Sequence, residues 1–178
     1  MVKKIAFALC FFFAHMFSLP IVYADDAEHE RISADQIKRG CVLAFEKTVL
    51  PDPEDPLSTP PYSLALNWLC QGEAPIAVDR YDIEGGNPQI VTVFFRKKSG
   101  VVVLVKWSIN SHSSDFVGDI YKIYVYKFVS NAEHPLVKDR DVMMKLFEGW
   151  DGFRNGHSVS YPFKDAASIR KELARLGY

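Results

Sequence analysis

The sequence predicts an α+β fold in which an antiparallel four-stranded β-meander is preceded by one or two helices and followed by two more. Three observations lead to this expectation. Apolar residues recur at helical spacing in residues 33–48, alternate at strand spacing through much of residues 76–128, and return to helical spacing after residue 139. Separate blocks of strands and helices are typical of the α+β class.

Residues 1–24 have the three parts of a secretory signal peptide. Lys3 and Lys4 precede an apolar run, and Val22 and Ala24 occupy the positions before an acidic pair. Pro20 interrupts the run before it reaches the roughly 20 residues that span a bilayer. We therefore expect cleavage near Ala24, export to the periplasm (or secretion), no stable membrane insertion afterwards, and one domain over residues 25–178.

Cleavage would remove Cys10 and leave two cysteines, Cys41 and Cys70. In an oxidising compartment, an even pair favours a disulfide over a metal site. Closing a loop of this size stabilises a protein by roughly 3–4 kcal/mol in the chain-entropy model. A catalytic cysteine is the alternative, but no histidine lies near either residue in the sequence.

The first helix is expected to begin at Ser33, because Gln36 follows three positions later as in a capping box. Pro51 would end this helix. Its apolar stripe at helical spacing consists of Ile37, Cys41, Ala44, Phe45 and Thr48.

Residues 51–61 hold five prolines and three acidic residues, which predicts an extended loop. Residues 62–70 fit either a helix or an alternating strand. The Pro-Pro entry and the exit at Gly72 favour a helix slightly.

The middle of the chain is rich in β-branched and aromatic residues. Connections of hairpin length between the apolar runs imply antiparallel neighbours. The first connection contains the turn signal Gly85-Gly86-Asn87-Pro88. The predicted strands cover residues 76–83, 89–96, 101–109 and 118–128.

Two helices are predicted near the end of the chain. Asp139 or Asp141 would cap the first helix, which ends at Gly149, and Asp165 would cap the second. Between them, residues 150–157 are predicted to form a loop. The apolar stripes of the two helices consist of Val142, Met143, Leu146 and Phe147, and of Ile169, Leu173 and Leu176.

Charge is distributed unevenly along the chain. Residues 25–90 hold 13 acidic and 5 basic side chains, whereas residues 91–178 hold 9 acidic and 14 basic ones. This polarity could orient a charged partner, or the two halves could pack so that their charges offset. It argues against nucleic acid as a partner, because nucleic acid requires a contiguous basic surface.

Catalytic signatures are absent from the sequence. There is no Gly-x-Ser-x-Gly motif, and no two histidines stand four residues apart. The Gly85-Gly86 pair leads into a strand, not into the N-terminus of a helix that could bind phosphate. We expect a non-enzymatic protein with no cofactor and no metal.

Several polar residues could still contribute to a site. His112 and Asp115 lie in a Ser-rich turn, where turn hydrogen bonds are the simpler role. The carboxylate pairs Asp79/Asp82 and Asp115/Asp119 are better explained as turn caps and solvated strand edges than as the paired acids of a glycosidase.

The strongest candidates for partner binding lie in the 150–157 loop and on the last predicted strand. Trp, Tyr and Arg dominate binding hot spots, although the same aromatic residues could simply pack on the sheet. Tyr121, Lys122 and Lys127 neighbour the two candidate tyrosines. The candidate residues are Trp150, Asp151, Phe153, Arg154, Tyr124 and Tyr126.

Three functional hypotheses remain. The favoured one is a periplasmic protein of the inhibitor or immunity type that binds and neutralises a secreted or envelope-acting enzyme, such as a toxin or hydrolase. The second is a small-ligand-binding or proton-transfer domain with a curved sheet, in which His112, Asp115 and Asp119 would line an apolar pocket. The third is an accessory subunit of an envelope complex.

Overall fold

The computed structural model describes residues 30–50, 60–96, 100–110 and 115–178. Within them, the protein consists mostly of two antiparallel sheets, of four and six strands, with two short helices near the C-terminal end. The prediction of an α+β fold with helices ahead of a meander is therefore wrong. The elements are β1 (Glu30–Ser33), β2 (Cys41–Val49), β3 (Tyr62–Cys70), β4 (Ile76–Tyr81), β5 (Pro88–Arg96), β6 (Gly100–Asn110), β7 (Phe116–Phe128), β8 (Leu136–Lys138), α1 (Arg140–Lys145), β9 (Gly149–Arg154), β10 (His157–Val159) and α2 (Ala166–Arg175).

Some predictions fall outside the described residues. These are the signal peptide at 1–24, the proline-rich segment at 51–59, and His112. In the part of the chain that the structure describes, no helix is both long enough and apolar enough to cross a membrane.

The four-stranded sheet has the order β1-β2-β3-β4. Cys41 lies directly opposite Cys70 in the pairing of β2 with β3. The predicted disulfide is confirmed, with an S–S distance of 2.00 Å. It joins neighbouring strands of one sheet, whereas the sequence analysis placed Cys41 on a helix.

The helix predicted from Ser33 is replaced by two strands and a single turn. The carbonyl oxygen of Ala34 accepts the N–H groups of Ile37 (2.8 Å) and Lys38 (3.0 Å), and Gly40 then adopts a positive φ of 75°. A glycine in this conformation commonly ends a helical turn. Beyond it, the alternate residues of β2 point into the core. These are Cys41, Leu43 and Phe45.

Residues 62–70 form strand β3, so the slight preference for a helix is also wrong. Leu66 and Trp68 alternate into the core and are almost completely buried. β3 lies between β2 and β4, and both neighbours supply backbone hydrogen-bond partners that a helix would not use.

The predicted four-stranded meander is divided between the two sheets. β4 closes one edge of the four-stranded sheet, and β5, β6 and β7 form a three-stranded meander in the other sheet. The turn signal at residues 85–88 therefore crosses between sheets. Asn87 holds this crossing, because its amide accepts the N–H of Tyr62 at 2.9 Å and donates to the carbonyl oxygen of Pro60 at 3.2 Å.

The six-stranded sheet has the order β10-β9-β7-β6-β5, with β8 pairing to β7. β7 is long enough to have two partners along one edge. Its residues 116–121 pair with β9, and its residues 126–128 pair with β8.

The predicted loop at 150–157 is a β-hairpin formed by β9 and β10. Asn155 and Gly156 occupy the turn with φ angles of 50° and 80°. Positive φ at both central residues is the signature of the type I′ turn that Asn-Gly favours. The Asn155-Gly156 pair is the sequence signal for this hairpin, and the loop prediction for residues 150–157 did not use it.

Two apolar cores lie on opposite faces of the six-stranded sheet. On one face, Val103 and Trp107 of β6 pack against the four-stranded sheet through Leu66 and Trp68. On the other face, Val102 and Leu104 pack against the helices. β6 is therefore buried on both faces over much of its length, and the architecture has three layers.

Two C-terminal helices are present as expected, but the predicted end of the first at Gly149 is wrong, because α1 ends at Lys145 and Gly149 begins β9. Asp139 caps α1, and Asp165 caps α2 through a capping box with Ser168. Val142 of α1 and Ile169 and Leu173 of α2 are buried against the outer face of the sheet.

Candidate interaction surface

The start of β7 and the β9–β10 hairpin form one end of the six-stranded sheet. We call this end, residues 115–119 and 150–158, the sheet corner. Gly118 and Gly152 lie directly opposite each other there, both with φ of 147°. A Cβ on Gly118 would overlap the carbonyl oxygen of Asp151 and would lie 3.0 Å from the ring of Phe116. The paired glycines therefore let the strands approach closely beneath that ring.

Trp150 is held between an aromatic ring and a cation on one face of the corner. The ring of Phe116 meets it edge-on at 4.6 Å, and the guanidinium carbon of Arg154 lies 4.5 Å from its ring centre. Phe116 is 4% exposed and belongs to the core between the sheets, against which the half-buried Trp150 packs. Trp150 therefore supports the exposed Arg154.

Phe153 lies on the opposite face of the corner, because adjacent strand residues point to opposite faces. Its side chain is 54% exposed, and its cross-strand neighbour Val117 is 44% exposed. The corner thus presents two adjacent apolar side chains on one face and the Trp150–Arg154 stack on the other.

One carboxylate oxygen of Asp151 accepts three hydrogen bonds from within the protein. Its Oδ1 accepts the side chains of Lys164 (2.9 Å) and Ser160 (3.1 Å) and the backbone N–H of Tyr161 (3.1 Å). The hydrogen bond from Lys164 is the main cause that lowers the pKa of this carboxyl. Asp151 anchors β9 to the segment that leads into α2.

Asp119 lies directly opposite Asp151 across β7 and β9. Two carboxylates in this position repel each other unless cations offset them. Lys106 lies 3.3 Å from Asp119, whose other oxygen accepts the hydroxyl of Ser108 at 2.6 Å. The pKa of Tyr121, which donates to Asp119, is raised to about 12 by burial and by this charge.

This carboxylate pair does not suit glycoside hydrolysis. A glycosidase needs one carboxylic acid whose pKa is raised so that it carries a proton. The pKa of Asp151 is lowered, and the Asp119 carboxyl accepts hydrogen bonds from Lys106, Ser108 and Tyr121. Asp151 therefore lacks the raised pKa that the acid of a glycosidase requires.

The two candidate tyrosines of β7 occupy different environments. Tyr126 is completely buried, so its side chain lies away from the surface. Tyr124 is half-buried, its ring 4.8 Å from that of Tyr81 and 5.3 Å from the ammonium of Lys138. Of the two, only Tyr124 has side-chain surface that a partner could contact.

A buried polar network between the sheets was missed by the sequence analysis. The hydroxyl of Tyr126 donates to Asp79 at 2.5 Å and lies 2.9 Å from the hydroxyl of Tyr81. Lys138 lies 2.8 Å from the same carboxylate. Burial raises the pKa of both Tyr81 and Tyr126 well above the ordinary value. Only the packing of β4 over β7 brings these residues together, so no sequence signal identified them.

Open grooves lie elsewhere on the surface. One of about 390 Å³ runs between α1 and β7 and is lined by Tyr124, Met143, Met144 and Phe147, with Lys122 and Glu148 among its polar residues. Lys122 pairs with Glu148 (3.2 Å) and with Glu84 (2.6 Å). Larger grooves of about 530 and 430 Å³ lie beside Trp68 and beside Tyr62.

Of the polar residues considered for an apolar pocket, the two that the structure describes, Asp115 and Asp119, do not line any of these grooves. Asp115 is exposed at the start of the corner, and Asp119 is bound to Lys106 and Ser108. Of the carboxylates flanking Arg80, Asp82 is exposed and accepts the Arg80 side chain at 2.7 Å. Across the described ranges, no group of three His, Cys, Asp or Glu side chains is arranged to hold a metal ion.

No family model, no curated protein and no solved structure matches the chain.

Proposed function

We propose that this chain is an exported, non-enzymatic binding protein of the inhibitor or immunity type, which neutralises a secreted or envelope-acting enzyme by covering part of its surface. The observation that carries the proposal is the sheet corner. Phe153 is 54% exposed on a hairpin whose backbone and neighbouring side chains are fixed by many contacts.

Rigidity is the physical reason why the corner suits this role. Binding is weakened by the entropy lost when a loop or side chain becomes ordered. Here β9 is paired on both sides, Trp150 is packed against Phe116, and Asp151 is anchored by Lys164. A partner would meet the backbone of Phe153 and the supported side chain of Arg154 in positions that are already set.

The compartment is part of the proposal. Residues 1–24 would direct export, with cleavage near Ala24 and release into the periplasm; secretion is the alternative. The Cys41–Cys70 disulfide supports an oxidising compartment, because such bonds are rare in a reducing cytosol.

The two other hypotheses lead to different observations. An accessory subunit of an envelope complex would use the same corner but would be recovered with several proteins and would not inhibit an enzyme. A small-ligand domain would bind in one of the open grooves, so substitutions at the corner would not affect it.

Capture from envelope extract tests the proposal. The chain beginning at residue 25 is immobilised as wild type, as Phe153→Ser, and as Val49→Ser. Val49 is a matched control because it is 52% exposed but lies at the end of β2 in the other sheet. We expect recovery of one stoichiometric hydrolase, inhibition of its activity by the added protein, and a loss of about 2 kcal/mol in binding for Phe153→Ser only.

Recovery of a hydrolase that Phe153→Ser binds as tightly as wild type does would place the interface elsewhere. Failure to recover or inhibit any enzyme would refute the inhibitor hypothesis. Melting temperatures of the three proteins should agree closely, because both substituted side chains are exposed.

A further inference from the structure

We propose that Arg154 is a receptor for a carboxylate, so that the partner presents an Asp or Glu side chain to the Trp150 face of the sheet corner. This inference rests on the proposed binding function and adds the chemistry of the partner. It follows from the contact of Arg154 with Trp150, from the absence of an acidic partner for Arg154 among the described residues, and from its strand neighbours.

The contact with Trp150 places the guanidinium group over the face of the indole. The guanidinium carbon lies 4.5 Å from the ring centre of Trp150, and Phe116 supports the indole from its edge at 4.6 Å. A guanidinium stacked on an aromatic ring keeps its N–H donors free at the edge of its plane. These donors match the two oxygens of a carboxylate.

Many other cations of the protein already have acidic partners. Arg80 is 2.7 Å from Asp82, and Arg175 is 2.6 Å from Glu172. Within the described ranges, no carboxylate lies within 4.0 Å of Arg154. Its charge is therefore available to a partner. Because the Trp150 indole already restrains the Arg154 side chain, that side chain loses less conformational entropy on binding.

The strand neighbours of Arg154 on the same face add no acid. Phe116 lies opposite it on β7, and His157 lies opposite it on β10. Asp115 is close in the chain, but it contacts the turn through its backbone carbonyl, which accepts the N–H of Asn155 at 2.9 Å. Among the described residues, the strand neighbours of Arg154 on this face are therefore a phenylalanine and a histidine.

A carboxylate of a protein fits this surface better than a polyanion does. Arg154 is the single lysine or arginine of the sheet corner, whereas a chain of phosphates is held by several such cations. One acidic side chain needs only one guanidinium group. Phe153 and Val117 offer an apolar contact on the opposite face of the corner. We therefore expect the corner to bind in a cleft of the partner that has one acidic wall and one apolar wall.

Selection from a displayed library of random 12-residue peptides tests the assignment. Peptides selected on the wild-type chain from residue 25 are compared for binding to Arg154→Gln, Arg154→Lys and Arg39→Gln. Arg39 is a matched control, because it is an exposed arginine on the turn before β2. Backbone amide shifts in NMR spectra report where each selected peptide binds.

We expect the selected peptides to be enriched in Asp or Glu and to shift the amides of residues 116–118 and 150–158. Arg154→Gln should weaken their binding by about 10- to 100-fold, the equivalent of a charge-assisted hydrogen bond, and Arg154→Lys should restore only part of it. Arg39→Gln should have no effect. Added salt should weaken binding to wild type more than binding to Arg154→Gln.

Acid-free peptides that bind the corner of wild type and Arg154→Gln equally would overturn the carboxylate assignment and leave the binding surface intact. Acidic peptides that bind at Arg154 in a protein that captures no enzyme would support the assignment and refute the inhibitor hypothesis. Peptides that shift only residues outside the corner would overturn the assignment.

Discussion

Replacing Tyr126 with Phe removes one hydroxyl group from the contact between the two sheets and leaves the shape of the side chain unchanged. The hydroxyl is completely buried, donates to the Asp79 carboxylate at 2.5 Å and lies 2.9 Å from the hydroxyl of Tyr81. Since only one oxygen atom is removed, the cost of the substitution comes mainly from hydrogen bonding.

The magnitude follows from the two contacts. A hydrogen bond to a charged group contributes roughly 1.5–3 kcal/mol, and a buried hydroxyl left without its partner costs about 1–3 kcal/mol. Asp79 keeps its ion pair with Lys138 at 2.8 Å, which limits the loss on that side. We expect Tyr126→Phe to lower the free energy of unfolding by about 2–4 kcal/mol, or the melting temperature by roughly 5–15 °C.

Urea denaturation of the oxidised chain from residue 25 is the assay, with Tyr124→Phe as the matched control. Tyr124 lies two residues away on β7, and within the described residues its hydroxyl makes no hydrogen bond. This control should lose less than about 0.5 kcal/mol. The double variant Tyr81→Phe/Tyr126→Phe should lose less than the sum of the single variants, because neither hydroxyl then remains unpaired.

A loss for Tyr126→Phe no greater than that for Tyr124→Phe would refute this reasoning. It would mean that the network contributes no net stability and that apolar packing alone holds β4 over β7. A change in the dependence on urea concentration would instead indicate an altered unfolded or native state, and the comparison would then be repeated by thermal unfolding.

Two further predictions concern the disulfide and the alkaline range. Reducing the Cys41–Cys70 bond, which closes a separation of 29 residues, should lower the free energy of unfolding by about 3–4 kcal/mol; equal melting temperatures with and without reductant would contradict this. Burial raises the pKa of Tyr81 and Tyr126 in the folded state, so the unfolded chain loses these two protons at a lower pH than the folded protein does. The free energy of unfolding therefore falls as the pH rises above about 10. The decline is at most about 1.4 kcal/mol per pH unit for each group. Urea denaturation between pH 8 and 11 measures this decline, which should be shallower in Tyr81→Phe/Tyr126→Phe; an equal decline in both proteins would show that the two buried hydroxyls are not its cause.

The candidate site was only partly accessible to sequence reasoning. Trp150, Phe153 and Arg154 were selected by residue type, and the structure brings them together on one hairpin. Phe153 lies on the opposite face from Trp150 and Arg154 because side chains alternate along a strand. The loop prediction for residues 150–157 could not include this alternation. Asp151 and Tyr126 were selected by the same criterion, but their contacts are largely internal.

What the sequence by itself determined is local. The caps at Asp139 and Asp165, the alternating strands β5 to β7, and a cysteine pair suited to a disulfide follow from short-range patterns that do not depend on distant partners. The segment from Cys41 to Val49 shows the limit, because its apolar residues fit both a helical and a strand period over so short a length. Pairing with β3 decided between them.

Only the tertiary structure decided which sheet each strand joined and which side chains met. β4 and β5 are consecutive in the chain yet belong to different sheets, since Asn87 ties the crossing to Tyr62 and β4 packs over β7. That packing buries Tyr126 with Asp79, a contact between residues 47 positions apart. The free energy of such a contact depends on burial and geometry, and neither is encoded in the spacing of residues along the chain.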